Sequence, residues 1–213
     1  ERQGADELVF LDVSATPDGR KTALDTVAKV RRRIAIPMTV GGGVRTADDA
    51  GALLRAGADK VGVNTAAVER PALISEISQK YGAQCAILAL DAARRTEGAG
   101  WEVVTMSGKN RTGKDVIEWA KEAASLGAGE ILLTSWDRDG TRSGYDLELL
   151  AAVSKSVSVP VIASGGAATP AHLLDALRAG ADAVLAASIF HDGEYTVGAV
   201  KTELLKAGVN VRV

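Results

Sequence analysis

The chain has 213 residues, 46% of them hydrophobic, which is enough for one well-buried domain. Its formal net charge of -2 and the lack of interleaved aromatic and basic residues argue against nucleic-acid binding. Cys85 lies in an apolar run, and His172 and His191 are far apart in sequence, so we expect a reducing compartment and neither a metal nor another cofactor. No signal-peptide pattern and no membrane-length apolar run is visible, which predicts a cytoplasmic protein without a membrane span.

Short apolar runs alternate with helical patterns along the chain. Runs of Val, Ile, Leu and Ala with little polar alternation are typical of strands buried on both faces of a parallel sheet. They predict strands near 7–12, 38–40, 60–64, 85–90, 130–135, 161–163 and 183–187. Helical patterns fall near 22–33, 46–56, 71–81, 114–126, 147–156, 170–179 and 196–207. This order predicts an α/β fold, a (βα)8 TIM barrel, in a single domain over residues 1–213.

The chain contains one strand-helix-strand unit twice. An offset of 123 residues, the difference between Pro37 and Pro160, also superimposes Gly42-Gly43 on Gly165-Gly166 and Arg55–Asp59 on Arg178–Asp182. Because one constant offset needs no gap, it favours a two-fold half-barrel duplication, although such short motifs also recur in unrelated parallel α/β proteins. The counterpart of Asp91 would precede residue 1, so we expect the first βα unit, with its own strand-end carboxylate, to be missing from this chain.

Residues 92–113 depart from the alternation of strands and helices. The segment 101–108, WEVVTMSG, alternates like an exposed hairpin strand, and four glycines around it indicate a loop. If the fold is a barrel, this segment lies on the active face. Two interpretations stay open: the segment is a mobile lid, or it is a hairpin without a role in function.

Polar side chains stand at three predicted strand ends, namely Asp12, Asn64 and Asp91. In a barrel, the ends of the strands converge on one face, where catalytic groups lie. Asp91 follows an apolar run, so burial would raise its pKa and suit it to proton transfer. The alternative role for an Asp after a strand is to cap a helix.

Two glycine-rich turns with hydroxyl or amide partners predict two phosphate sites. One combines Ser164, Gly165, Gly166 and Ser188, and the other combines Gly42, Gly43, Asn64 and Thr65. Backbone N–H groups freed of side-chain bulk can close around a phosphate. The pair of sites predicts a substrate with a phosphate at each end, although tight turns need glycine for their own geometry.

Charged residues begin three predicted strands, namely Glu7, Lys60 and Glu130. They are either ordinary solvated strand starts or a ring of paired charges at the bottom of the barrel.

The chain resembles the cyclase subunit of imidazole glycerol phosphate synthase, a βα barrel of histidine biosynthesis. The matching segments are ADELVFLDVSA (5–15), TVGGGVRT (39–46), GADKVGVNTAAV (57–68), LALDA (88–92), GAGEILLTSWDRDGTRSGYD (127–146), IASGGA (162–167), ADAVLAASIFH (181–191) and GVNVR (208–212). They span nearly the whole chain, and the run from 133 to 146 is specific. The family's first strand, with its aspartate and the lysine loop that follows, has no match here.

The resemblance implies a bisphosphate substrate, a phosphoribulosyl-formimino aminoimidazole carboxamide ribotide, which ammonia converts to imidazole glycerol phosphate and the aminoimidazole carboxamide ribotide. It implies that Asp91 is one of two acid/base carboxylates. It further implies that Asp12, Asn64, Thr65, Thr134 and Asp139 contact the substrate, and that phosphate contacts come from Gly43, Gly165, Gly166 and Ser188. Glu7, Lys60 and Glu130 match a charged gate through which ammonia arrives from a glutaminase subunit in a heterodimer, with Asp59 at the partner interface.

Two rival functions fit the same pattern of motifs. The related isomerase, which acts on the precursor of this substrate, shares the duplicated barrel and both phosphate sites. We expect its sequence to differ at 136–146 and 208–212, where this chain follows the cyclase. The second rival is a non-catalytic barrel fragment that binds phosphates but lacks the partner carboxylate.

Overall fold

The computed structural model describes residues 1–12 and 24–212. In these ranges the strands form a single nine-stranded sheet. The strands are β1 Leu8–Leu11, β2 Met38–Gly41, β3 Lys60–Val63, β4 Ala86–Arg94, β5 Trp101–Thr105, β6 Asn110–Asp115, β7 Glu130–Ser135, β8 Val161–Ser164 and β9 Ala183–Val184.

Helices follow most of the parallel strands and cover the sheet. The helices are α1 Leu24–Arg31, α2 Ala47–Ala56, α3 Thr65–Glu69, α4 Ala72–Tyr81, α5 Val116–Ser125, α6 Leu147–Ser156, α7 Pro170–Arg178, α8 Ser188–His191 and α9 Val197–Lys206. A short 3₁₀ turn spans Ala83–Cys85. Local sequence sets several of the helix starts, because side-chain oxygens of Asp115, Asp146 and Thr169 accept hydrogen bonds from first-turn N–H groups.

The sheet consists of a parallel path and one antiparallel hairpin. The path runs in the order β1-β2-β3-β4-β7-β8-β9, with every adjacent pair parallel. The hairpin β5–β6 pairs with the second half of β4. Parallel strands joined by helices in chain order are the architecture of a TIM-type barrel, so the α/β prediction is confirmed. All seven parallel strands end at one edge of the sheet.

Most predicted elements lie within two residues of the observed ones. The exceptions are β4, which continues to Arg94 because β5 extends its pairing, and β9, which ends at Val184 rather than at 187. The prediction of a hairpin strand within 101–108 is confirmed by Trp101–Thr105, but its predicted exposure is wrong, because Val103 and Val104 of β5 are fully buried. Helices α3 and α8 were not predicted. Residues 22–23 of the predicted first helix and 13–15 of the first matching segment lie outside the described residues.

The sequence repeat is accompanied by repeated hydrogen bonds. Met38 N donates to Asp59 Oδ2 at 2.7 Å, and at the same offset Val161 N donates to Asp182 Oδ2 at 2.9 Å. Leu8 N donates to Pro37 O at 2.9 Å, and Ile131 N donates to Pro160 O at the same distance. A duplication as their common origin stays a prediction.

The core lies between the sheet and its covering helices. Leu88 and Leu90 of β4, Ile131 of β7 and Trp119 of α5 are all fully buried in one apolar cluster. Burial of such side chains supplies the main driving force for folding and holds the strand ends rigidly. Among the helices of the described residues, none is both long enough and apolar enough to cross a bilayer.

Candidate active site

The candidate active site is the edge of the sheet at which the parallel strands end. Polar side chains and glycines gather there from several strands and the turns that follow them. The predicted site residues at this edge are Asp12, Gly43, Asn64, Thr65, Asp91, Thr134, Asp139, Ser164, Gly165, Gly166 and Ser188. The four predicted gate residues, Glu7, Asp59, Lys60 and Glu130, lie at the opposite edge, where the strands begin.

Asp91 lies inside β4 and is held on both sides. It is in register with Val104 of the antiparallel strand β5 and with Thr134 of the parallel strand β7. The alternative that Asp91 caps a helix is therefore wrong. Its position on a doubly paired strand fixes the backbone from which the carboxyl group projects.

The carboxyl group of Asp91 is poised between its two protonation states near neutral pH. Burial raises the pKa of Asp91 from 3.8 to about 6. Asn64 Nδ2 donates a hydrogen bond to Asp91 Oδ2 at 2.9 Å, which lowers the pKa, while the charge of Asp139 raises it and the hydroxyl of Thr134 lowers it. Because a general acid or base works best when its pKa is near the working pH, Asp91 is suited to proton transfer.

Asn64 connects Asp91 to the hairpin. Its Nδ2 also donates to the carbonyl oxygen of Val104 at 3.3 Å. Among the described residues, its Oδ1 is buried without a hydrogen-bond partner. A buried acceptor without a partner is unfavourable by roughly 1–3 kcal/mol, so this oxygen is available to a donor on a ligand.

The hydroxyl of Thr65 is next to Asn64 and contacts the hairpin tip. Thr65 Oγ1 accepts a hydrogen bond from Met106 N at 3.1 Å. An accepting hydroxyl keeps its own proton to donate, so this contact is compatible with binding a phosphate oxygen.

The first glycine turn follows β2 and lies against Asp12. Gly42 and Gly43 both have positive φ, 98° and 72°. A Cβ on Gly42 would lie 2.2 Å from the carbonyl oxygen of Asp12, so a side chain cannot be accommodated there. The half-buried Asp12 itself donates its N–H to Gly41 O at 2.9 Å.

The second glycine turn follows β8 and lies against the loop after β7. Gly165 and Gly166 have φ of 93° and 96°, and Gly144 N donates to Gly166 O at 2.8 Å. A Cβ on Gly165 would lie 3.4 Å from the Cα of Asp139, which places Asp139 beside this turn. Ser164 is buried at the end of β8, whereas Ser188 is exposed at the first residue of the four-residue helix α8.

Sequence reasoning placed residues 92–113 on this face but missed the contacts that the hairpin makes with individual site residues. The carbonyl of Val104 and the N–H of Met106 contact Asn64 and Thr65, and Gly108 packs against the indole of Trp136. Thr134 and Asp139 came only from the family resemblance. The one signal available in the sequence was Trp136, a large aromatic residue directly after a predicted buried strand. In the structure this residue is 40% exposed.

At the opposite edge, Lys60 pairs with both predicted glutamates. Its Nζ lies 3.0 Å from Glu7 Oε2 and 2.6 Å from Glu130 Oε1. Burial lowers the pKa of Lys60, but the hydrogen bonds and charges of Glu130 and Glu7 outweigh burial and raise the pKa above 10.5. Of the two interpretations of these residues, the structure supports paired charges rather than separate solvated strand starts.

Asp59 has internal contacts next to this ion cluster. Its Oδ2 accepts from Met38 N and, at 2.8 Å, from Arg31 Nη1. The side chain remains 47% exposed, so a partner contact stays a prediction. Among residues 1–12 and 24–212, no three His, Cys, Asp or Glu side chains are grouped closely enough to hold a metal ion.

Comparison with known proteins identifies the family. The model of the histidine biosynthesis protein family matches residues 1–196. The HisF subunit of imidazole glycerol phosphate synthase from Streptomyces coelicolor is 59% identical over 212 residues, covering 100% of this chain and 84% of the relative. The HisF subunits from Mycobacteroides abscessus and Corynebacterium diphtheriae are each 54% identical over 217 residues, with the same coverage. The chain therefore belongs to the histidine biosynthesis protein family, among the HisF cyclase subunits of imidazole glycerol phosphate synthase.

Proposed function

We propose that this chain closes the imidazole ring of imidazole glycerol phosphate at the strand-end edge, with Asp91 as an acid/base. The substrate is the phosphoribulosyl-formimino aminoimidazole carboxamide ribotide, and the second product is the aminoimidazole carboxamide ribotide. The observation that carries this proposal is the enclosed Asp91 carboxyl, with a pKa of about 6, at the same sheet edge as two glycine turns. The HisF relatives favour this reaction over that of the related isomerase.

The proposed chemistry begins when ammonia attacks the ribulose carbonyl. A C–N bond forms, and the carbonyl oxygen must gain protons before it leaves as water. The acid form of Asp91 can give one proton to this oxygen, and the resulting carboxylate can take one from the nitrogen. General acid/base assistance of this kind contributes roughly a factor of 10²–10⁴ in rate.

The two glycine turns hold the two phosphates in this proposal. Gly43, with Asn64 and Thr65, binds one phosphate, and Gly165 and Gly166, with Ser164 and Ser188, bind the other. Thr134, Asp12 and Asp139 contact the substrate between these two sites. The parallel path supports this arrangement, because β2 and β8 end at one edge with β3, β4 and β7 between them. The matched hydrogen bonds of the two halves support a duplicated half-barrel as the origin of the paired sites.

Ammonia reaches the site from the other end of the barrel in this proposal. A glutaminase subunit would form a heterodimer at the strand-start edge, over Lys60, Glu7 and Glu130, with Asp59 at the interface. Uncharged ammonia crosses an apolar interior far more readily than ammonium, because transferring a charge out of water is costly. The apolar layers of the strands support this route.

The Asp91→Asn variant tests the catalytic assignment. In the full-length protein supplied with ammonium salts, we expect ring formation to fall by a factor of about 10³, because the amide cannot exchange protons. Affinity for imidazole glycerol phosphate, measured by calorimetry, should change little. Asp175→Asn, an exposed site on α7, is the matched control. Near-normal turnover by Asp91→Asn would remove Asp91 from the mechanism.

A Lys60→Ala variant tests the gate separately. We expect it to reduce glutamine-dependent turnover in the complex more than ammonia-dependent turnover, because only the former needs passage past the ion cluster. Equal losses in the two assays would contradict the gate.

A further inference from the structure

The tip of the hairpin β5–β6 contacts both neighbours of the strand that carries Asp91. On the β3 side, Met106 N donates to Thr65 Oγ1 at 3.1 Å. On the β7 side, Gly108 lies so close to Trp136 that a Cβ on it would be 2.0 Å from the indole Cε2. In the sheet, β4 lies between β3 and β7. Neighbouring strands are about 4.8 Å apart, so the tip spans about 10 Å across β4, next to Asp91, which is in register with Val104.

The backbone of this tip is held in an unfavourable conformation. Met106 and Ser107 both have positive φ, 54° and 55°. Residues other than glycine in this region are unfavourable by roughly 1–2 kcal/mol each. Contacts at both ends of the tip, the Thr65 hydroxyl and the Trp136 indole, offset this strain.

Trp136 is well placed to act as a platform for the tip. Its backbone is fixed by the hydrogen bond from Trp136 N to Ala92 O at 2.8 Å, which ties the end of β7 to β4. Trp136 is 40% exposed and lies outside the apolar core cluster. The face that it offers to Gly108 is therefore a docking contact for the hairpin rather than a core contact.

We propose that Trp136 is a positioning residue for Asp91: by docking Gly108, it keeps the hairpin tip across β4 beside Asp91 and so excludes water from the carboxyl group. This inference rests on the proposed acid/base function of Asp91. Trp136 itself touches no reacting atom, and it acts through residues 104–108.

Release of the tip has a defined chemical consequence. Burial is the largest cause of the raised pKa of Asp91, ahead of the opposing hydrogen bond from Asn64 and the effects of Asp139 and Thr134. Thr134 lies on β7 and Asn64 directly follows β3, so neither belongs to the tip that is released. Added water therefore moves the pKa of Asp91 down from about 6. At pH 8 the acid form becomes about tenfold rarer for each unit of that decrease.

The test measures the carboxyl group directly in the full-length protein. The ¹³C signals of the Asp carboxyl groups are followed by NMR against pH, with Asp91 assigned from its loss in Asp91→Asn. In Trp136→Ala, we expect the midpoint for Asp91 to fall by about 1, and kcat with ammonium salts at pH 8 to fall about tenfold with little change in KM. Trp136→Phe keeps a ring face for Gly108 and should restore both values.

Two further variants make the test specific. Gly108→Ala, whose methyl group would overlap the indole, should reproduce Trp136→Ala in both measurements. Lys109→Ala, at an exposed position of the same tip, should match the wild type. An unchanged Asp91 midpoint in both Trp136→Ala and Gly108→Ala would overturn the positioning role.

The two proposals fail in distinguishable ways. If Asp91→Asn keeps its turnover, the catalytic assignment is wrong, whatever Trp136 does. If Asp91→Asn is inactive while Trp136→Ala retains the wild-type midpoint and kcat, only the inference about Trp136 is wrong.

Discussion

Carboxyl groups lie in opposite electrostatic environments at the two ends of the sheet. At the strand starts, Lys60 lies between Glu7 and Glu130, and each glutamate is paired with the ammonium group. At the strand ends, Asp91 is enclosed with an amide and a hydroxyl, no cation of residues 1–12 or 24–212 forms an ion pair with it, and burial raises its pKa to about 6. One end thus uses its charges for mutual stabilisation, whereas the other keeps a carboxylate in an unfavourable environment.

This difference separates a structural arrangement from a reactive one. A buried carboxyl group without a cationic partner destabilises the fold once it ionises, and such groups concentrate at functional sites. A cluster of paired charges, such as the one around Lys60, stabilises the fold instead. The two ends should therefore respond oppositely to substitution.

The largest stability effect is expected at Asp91. The unfolded carboxyl titrates near 3.8 and the folded one near 6, so stability is lost as pH rises through this window. Asp91→Asn removes that loss and should increase the free energy of unfolding by about 3 kcal/mol at pH 8, with no gain at pH 3. Urea unfolding of Asp91→Asn and of the wild type at pH 8 and at pH 3 measures the difference in free energy of unfolding at each pH. A gain of the same size at pH 3 would show that ionisation is not the cause.

At the other end, Lys60→Ala should destabilise the protein. Removing the ammonium leaves Glu7 and Glu130 facing each other without a cation, a loss of about 2 kcal/mol because Glu7 is partly exposed. Since the pKa of Lys60 is raised, the stabilisation is complete below pH 10.5 and fades above it. Urea unfolding at pH 7 tests this, with Lys121→Ala at a surface pair as control. Equal effects of the two variants would mean that the cluster contributes no more than an exposed pair.

The matched aspartates of the two halves share one role, accepting a strand N–H, and Asp59 in addition pairs with Arg31. Asp59→Ala and Asp182→Ala each remove an acceptor for a strand N–H, and each should lower the free energy of unfolding by about 1 kcal/mol. If Asp59 lies at the partner interface, Asp59→Ala alone should also weaken assembly with the glutaminase subunit. Calorimetric titration of the two subunits measures this. Equal affinities for both variants would exclude Asp59 from the interface.

The smallest effect is expected at the helix caps. Thr46 Oγ1 accepts from Asp49 N, and Asp49 Oδ2 accepts in return from Thr46 N, whereas Thr169 Oγ1 accepts from His172 N without such a return bond among the described residues. Thr46→Ala should therefore lower the free energy of unfolding by about 1 kcal/mol, and Thr169→Ala by a few tenths less. Thermal unfolding of both variants tests the order, with Thr202→Ala on α9 as control. A larger loss for Thr169→Ala would contradict it.

Local pattern was enough to predict most of the parallel strands and Asp91. Apolar runs identify strands buried on both faces, and Asp91 directly follows such a run. The sequence could not show that β4 continues through Asp91 to Arg94, because that extension depends on β5, a partner about ten residues away. The polar run Asn110–Asp115 likewise forms β6 only because Trp101–Thr105 pairs with it. Contacts such as Gly108 with Trp136 depend on where two separate loops meet, which no local pattern encodes.

Because β4 is hydrogen-bonded on both edges, the backbone that carries the Asp91 carboxyl group has little freedom to move. For the Asp91 amide to exchange with solvent, pairing to β5 or β7 must open, so exchange there should be among the slowest in the protein. Side-chain torsions are then the remaining freedom of this group. Catalysis requires the carboxyl group to lie within a fraction of an ångström of its productive position relative to the substrate. A doubly paired strand satisfies this requirement, whereas a carboxyl group on a loop would sample many orientations.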